Sequence, residues 1–113
     1  MVDKVTKINT FHIRMLAYFL EKLRATPDGD GTLLDHSIIL YGAGISDGNV
    51  HSHDNLPLIL AGGGGGQIGG GRHIKNPKDT PMLNLHLTVL DMLGVPVDKL
   101  GDSSGKLHIP SVV

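Results

Sequence analysis

Two short, unbroken apolar runs, Ile38-Ile39-Leu40-Tyr41 and Leu56-Pro57-Leu58-Ile59-Leu60, set most of the limits on what this chain can fold into. A run with no polar residue to turn towards water reads as a strand covered on both faces, the pattern of a parallel sheet. Pro57 suits the start of such a strand and not its centre, because it has no N–H for the ladder. Gly42-Ala43-Gly44 lets the backbone turn sharply after the first run. Between the runs, Ser46-Asp47-Gly48-Asn49-Val50-His51-Ser52-His53-Asp54 places two histidines, two aspartates and an asparagine within nine residues. Loops held by buried strands are where α/β proteins commonly place their chemistry.

Helices are predicted on both sides. Over residues 6–25, Ile8, Phe11, Met15, Phe19 and Leu23 recur at three- and four-residue steps, and Leu16 and Leu20 widen the stripe. Thr6 is a candidate N-cap, and the helix must stop before Pro27. The stripe predicts a packed scaffold helix. Asp28-Gly29-Asp30-Gly31 is a turn cluster. Thr80-Pro81 opens a second helix, apolar over most of its surface and expected to be largely buried, with Gly94 and Pro96 as stop signals. Only Gln67 and Ile68 interrupt the glycines of 62–71, which reads as a flexible loop or a wide hairpin tip, followed by a short strand at Arg72-His73-Ile74. Beyond Pro96 the chain is turn-rich, and Gly101–Gly105 is expected to be exposed. The order helix–strand–strand–helix predicts one α/β domain over residues 1–113, a partial parallel-sheet layer flanked by helices.

Composition removes several functional classes. The 113 residues carry 10 basic and 11 acidic side chains and a formal net charge of -1, with two Phe and two Tyr. That balance offers neither the basic patch nor the aromatic platforms of a nucleic-acid binder. No apolar run approaches the ~18–20 residues of a membrane span. The lack of cysteine removes disulfides, thiolate ligands and cysteine catalysis, and leaves the compartment open. No signal-peptide pattern opens the chain.

The central loop carries the candidate chemistry. In an extended segment residues two apart face the same side, so His51 and His53 could chelate one ion, with Asp47 and Asp54 as oxygen donors. Imidazole and carboxylate without thiolate suit zinc, manganese or iron, or calcium and magnesium where carboxylates dominate. The alternative is a polar loop in which Asp47 and Asn49 close turns through their own side chains. Gly64-Gly65-Gly66-Gln67-Ile68-Gly69 fits the dinucleotide glycine pattern, but within a glycine tract and with no helix directly behind it the match has little value. Arg72 and His73 follow that tract and could reach an anion at the sheet edge. His12, His36, His86 and His108 read as structural. No self-contained hydrolytic triad is visible, and no catalytic residue is assigned.

The stretch Gly31–Gly42, Ser46-Asp47-Gly48-Asn49 with His51 and His53, and Leu56–Gly62 resembles the C-terminal part of a bacterial family known as domain of unknown function 1552. Lys78-Asp79-Thr80-Pro81-Met82 and Leu90–Pro96 fit the same family, so the resemblance covers nearly the whole chain. More distantly the chain is similar to the C-terminal half of the alkaline phosphatase and sulfatase superfamily. There an acidic metal motif ends a strand, a later histidine ligand precedes a Pro-Leu-Ile strand, and a helix leads into Leu-Gly-Val/Ile-Pro. Asp47-Gly48-Asn49 sits where the acidic motif would be, and His53, or else His51, where the histidine would be. The pattern departs at one point: no histidine or asparagine directly follows Asp47, and Ser46 competes with Asp47 for the aspartate position.

The resemblance implies the metal-binding C-terminal portion of a phosphatase- or sulfatase-like hydrolase, inactive alone, in a chain that is a fragment of a larger protein. Asp47, His51 and His53 would be metal residues, and Asn49, Arg72 and His73 would face substrate oxygens. The divalent ion would be zinc, manganese or calcium. The nucleophile and remaining ligands would lie in an N-terminal half, the first expected partner, and a full-length parent would be exported. Two other readings stand beside it: a non-catalytic module that assembles through unpaired sheet edges, and a small histidine-loop metal carrier.

Overall fold

The structure is a computed structural model and describes residues 1–109. Helix α1 spans Val2–Ala25. A two-residue hairpin follows, β1 (Pro27–Asp28) against β2 (Gly31–Thr32), turning at the Asp28–Gly31 cluster with Gly29 at φ 59°. Strands β3 (Ile39–Gly42) and β4 (Leu58–Ala61) form a second pair, and helix α2 covers Leu83–Met92. The α1, β3, β4, α2 order is the predicted helix–strand–strand–helix one, with the β1–β2 hairpin added where the sequence predicts only a turn cluster, and the chain mixes helix with small sheets.

The sheet direction differs from expectation. β3 and β4 are antiparallel, with Ile39 opposite Ala61, Leu40 opposite Leu60, Tyr41 opposite Ile59 and Gly42 opposite Leu58. A parallel pair needs a crossover of a dozen or more residues that returns the chain to the same end, usually through a helix. The 43–57 connection instead folds back on itself through its own short ladder, so the chain reverses. Nor are the strands covered on both faces: Leu40 is 36% and Ile59 41% exposed. The unbroken apolar runs hide a half-buried alternation.

Helix α1 starts at Val2, before Thr6, and ends at Ala25 ahead of Pro27. It runs along the outside. None of its residues is buried, and Leu16, Leu20 and Leu23 on one side are only half-covered. The chain after it is tied back by Leu33 N–H to the Thr26 carbonyl at 3.0 Å and Leu34 N–H to the Leu23 carbonyl at 3.3 Å.

The best-packed region lies at α2. Leu85 and Leu87 are the buried apolar residues among those described, Leu87 at 1% exposure. The 100–107 segment, expected to be exposed, docks on this helix and buries Ser103. Asn84 supplies the attachment: its Nδ2 donates to Ser104 Oγ at 3.1 Å, and its Oδ1 accepts from Ser104 N–H at 2.8 Å. Thr88 Oγ1 donates to the Leu107 carbonyl at 2.7 Å, and Leu107 N–H donates to the Asn84 carbonyl at 3.2 Å. Lys106 reaches Asp91 at 3.0 Å. α2 begins later than Thr80-Pro81 predicts, because the Thr80 hydroxyl turns back to the Pro77 carbonyl at 2.7 Å instead of capping forward. The stop at Gly94, φ 78°, is as expected.

The first part of the glycine tract, read from composition as a flexible loop or a wide hairpin tip, is pinned by hydrogen bonds. Gly63, Gly64 and Gly65 donate their N–H groups to the carbonyls of Leu34, Ser37 and Asp35 at 2.9, 3.1 and 2.9 Å, around a short 3₁₀ turn at Gly64–Gly66. Gln67 Nε2 ties this turn to the end of α2 through the Met92 carbonyl at 3.1 Å. Residues 72–74 form no strand.

Candidate functional site

The connection between β3 and β4 is closed by its own side chains. Ser46 N–H donates to the Ser52 carbonyl at 2.9 Å and Ser52 N–H to the Asp47 carbonyl at 3.1 Å, an inner two-bond ladder. Asp47 Oδ1 accepts the Asn49 N–H at 2.9 Å, the turn that a short acidic side chain makes with the backbone two residues on. Ser46 Oγ donates to the Asp54 carbonyl at 2.6 Å and fastens the loop base. The Asp47 side chain therefore closes the turn as the turn-forming alternative foresees, while Asn49 takes part through its backbone N–H.

The two histidines part company. His51 sits in the left-handed region at φ 54°, completing the inner turn. That breaks the extended geometry on which an i, i+2 chelate depends. Among the described residues no group of three or more His, Cys, Asp or Glu is brought together to hold a metal, so Asp47, His51 and His53 do not make a complete site in this chain.

His53 is fixed differently. Its Nδ1 lies 2.7 Å from the Gly44 carbonyl oxygen. A carbonyl can only accept, so Nδ1 carries the hydrogen and, in the neutral ring, Nε2 keeps its lone pair. A histidine anchored through one nitrogen and presenting the other is how imidazole is oriented as a metal ligand.

Gly44 also borders a shallow apolar groove of about 270 Å³, lined by Leu40, Gly42, Ala43, Gly44, Leu58, Met82 and His86. His86, read from sequence as structural, thus borders the hollow beside the loop; its place on the apolar side of α2 is the signal that could have found it. Asn49, Arg72 and His73 are exposed and do not line this groove.

A charged cluster lies elsewhere. His36 Nδ1 is 2.8 Å from Asp28 Oδ2 and its Nε2 is 3.1 Å from Asp30 Oδ1. Only the imidazolium can donate to both, and the Asp28 hydrogen bond, helped by the charges of Asp28 and Asp30, raises the His36 pKa above 6.5. The neighbouring Asp35 accepts the Thr32 N–H at 2.8 Å and its hydroxyl at 3.0 Å, which together hold its pKa below 3.8. From sequence His36 reads as structural; its place near the Asp-Gly-Asp-Gly turn is the signal that points to the cluster.

No protein-family model, curated protein or solved structure matches the chain.

Proposed function

We propose that the 43–57 loop is one part of a divalent-metal centre in a phosphatase- or sulfatase-like hydrolase, and that this chain alone does not turn over substrate. The observation that carries the reading is the His53–Gly44 hydrogen bond, which leaves Nε2 as the coordinating nitrogen. Asp47 keeps carboxylate acceptor capacity beyond the bond to Asn49. The donor chemistry, imidazole plus carboxylate, fits zinc or manganese, while the number of donors falls short of a full set. Further ligands and the nucleophile come from another polypeptide segment. When bound, the ion supplies electrostatic stabilisation to an ester oxygen; this chain's contribution is to hold His53 and Asp47 in place. The residue pattern across 31–96 supports the assignment to ester hydrolysis.

The test is metal binding and activity measured side by side. The purified chain binds zinc or manganese weakly, His53→Ala abolishes that binding, and neither protein hydrolyses phosphate or sulfate esters above background. Efficient hydrolysis by the chain, or metal binding indifferent to His53, overturns the reading.

A second reading, a non-catalytic assembly module, is favoured by a separate observation: a two-stranded β3–β4 pair beside a core with two buried apolar side chains among the described residues is marginal on its own. The metal-carrier reading requires a complete donor set in the chain, which the loop geometry does not assemble. No helix among the described residues is long and apolar enough to cross a membrane.

A further inference from the structure

Two apolar surfaces of this chain lie uncovered, and they differ in shape. One is a ridge: Ile8, Phe11, Met15 and Tyr18 follow three- and four-residue steps along α1, each about half exposed. This stripe lies to one side of Leu16, Leu20 and Leu23, which face the rest of the chain. The other is a hollow: the groove between the β3–β4 pair and the start of α2, floored by Leu40, Gly42 and Leu58 and edged by Met82. Large side chains at regular helical spacing and a shallow apolar groove are the two halves of a helix-in-groove contact.

We propose that α1 of one copy docks in the β3–β4/α2 groove of a second copy, and that the second copy returns the contact through a two-fold axis. Charge favours this occupant. Residues 1–25 carry five basic and two acidic side chains, leaving five basic and nine acidic over residues 26–113. Lys4 and Lys22 lie on the same side of α1 as the stripe, at its two ends. Direct α1-to-α1 pairing, parallel or antiparallel, brings these lysines against each other. Docking in the groove does not, because its lining holds no lysine or arginine, and the loop leaving it at Gly44 carries Asp47 and Asp54.

The contact is modest. A groove of about 270 Å³ lined by seven residues takes in only part of the stripe, so each of the two equivalent contacts is small and the pair lies at the weak end of specific interfaces. The dimer is therefore concentration-dependent, and salt weakens it. Reciprocity closes the assembly at two copies and prevents open polymers.

Sedimentation velocity on the full chain from low to high micromolar concentration tests this. The unaltered chain shifts from monomer to dimer. Phe11→Asp on the stripe and Met82→Asp on the groove edge each weaken dimerisation at least tenfold, with helical circular dichroism unchanged. Mixing the two variants restores part of the association, because the Met82→Asp copy keeps an intact α1 and the Phe11→Asp copy an intact groove. A monomer at every concentration overturns the proposal. So does a dimer sensitive to Phe11→Asp and indifferent to Met82→Asp, which would mean helix-to-helix pairing. A monomer that instead binds vesicles containing anionic lipid through α1 overturns it as well.

Discussion

The Nδ1–H of His53 is held by the carbonyl oxygen of Gly44 at 2.7 Å, across the base of the loop that joins β3 to β4. The bond ties the ring to the backbone bordering the β3–β4 groove and selects one of the two neutral tautomers. In ¹⁵N NMR of the neutral ring, Nδ1 of His53 shows the signature of a protonated nitrogen and Nε2 that of a lone pair. A spectrum dominated by the Nε2–H form would mean that the Gly44 contact is not made in solution.

The His36 bridge makes the β1–β2 turn sensitive to pH. Because the folded-state pKa is raised above 6.5, its stabilising contribution is fully present below that value and is lost as pH rises through the folded pKa. The thermal midpoint of the unaltered protein therefore falls with rising pH above 6.5 by an amount that His36→Asn removes. Asp35 works in the opposite direction: its contribution is present above 3.8 and is lost as pH falls through its lower folded value. An Asp35→Asn variant flattens the acid limb alone. Identical pH profiles for all three proteins would contradict both assignments.

Gly62 shows why the tract resists any side chain at that point. Its φ is +98°, and a Cβ there would run into the Ser37 carbonyl oxygen. Gly70 has open space around the corresponding position. Gly62→Ala is expected to cost about 2–4 kcal/mol in chemical denaturation, and Gly70→Ala less than about 0.5 kcal/mol. Equal effects would mean that the tract is as loose as its composition suggests.

Asn84 and Thr88 attach the 100–107 segment to α2. Asn84→Ala leaves the Ser104 N–H and hydroxyl without this partner, and Thr88→Val removes the donor to the Leu107 carbonyl. Each loss is expected to cost about 0.5–1.5 kcal/mol, the net worth of a hydrogen bond whose freed partner, the exposed Ser104 or the half-buried Leu107, can still reach water. Amide exchange at Leu107, which donates to the Asn84 carbonyl, accelerates in both variants. Exchange that stays slow there would place the segment's attachment elsewhere.

Much of this architecture is legible in the residues, and the failures share a cause. Apolar periodicity and the Pro27 and Gly94 stop signals locate both helices, since they act within a few residues of one another. The direction of the β3–β4 pair is not legible, because an unbroken apolar run is compatible with either orientation. It was decided by Asp47, Asn49 and Ser52 closing the loop on itself. Order in the glycine tract depends on the carbonyls of Leu34, Asp35 and Ser37, which meet it only in space. At the loop itself, residue types pointed to Asp47, His51 and His53 as one cluster. The positive φ at His51 separates that residue from the pattern, and the carbonyl of Gly44 singles out His53.

The most direct test of the proposed partial metal centre is a zinc titration followed by ¹⁵N NMR of the histidine side chains. The account predicts a coordination shift at Nε2 of His53, none at its Nδ1, and saturation only at zinc concentrations well above that of the protein. Tight stoichiometric binding, or shifts at other histidines with His53 unmoved, would contradict it.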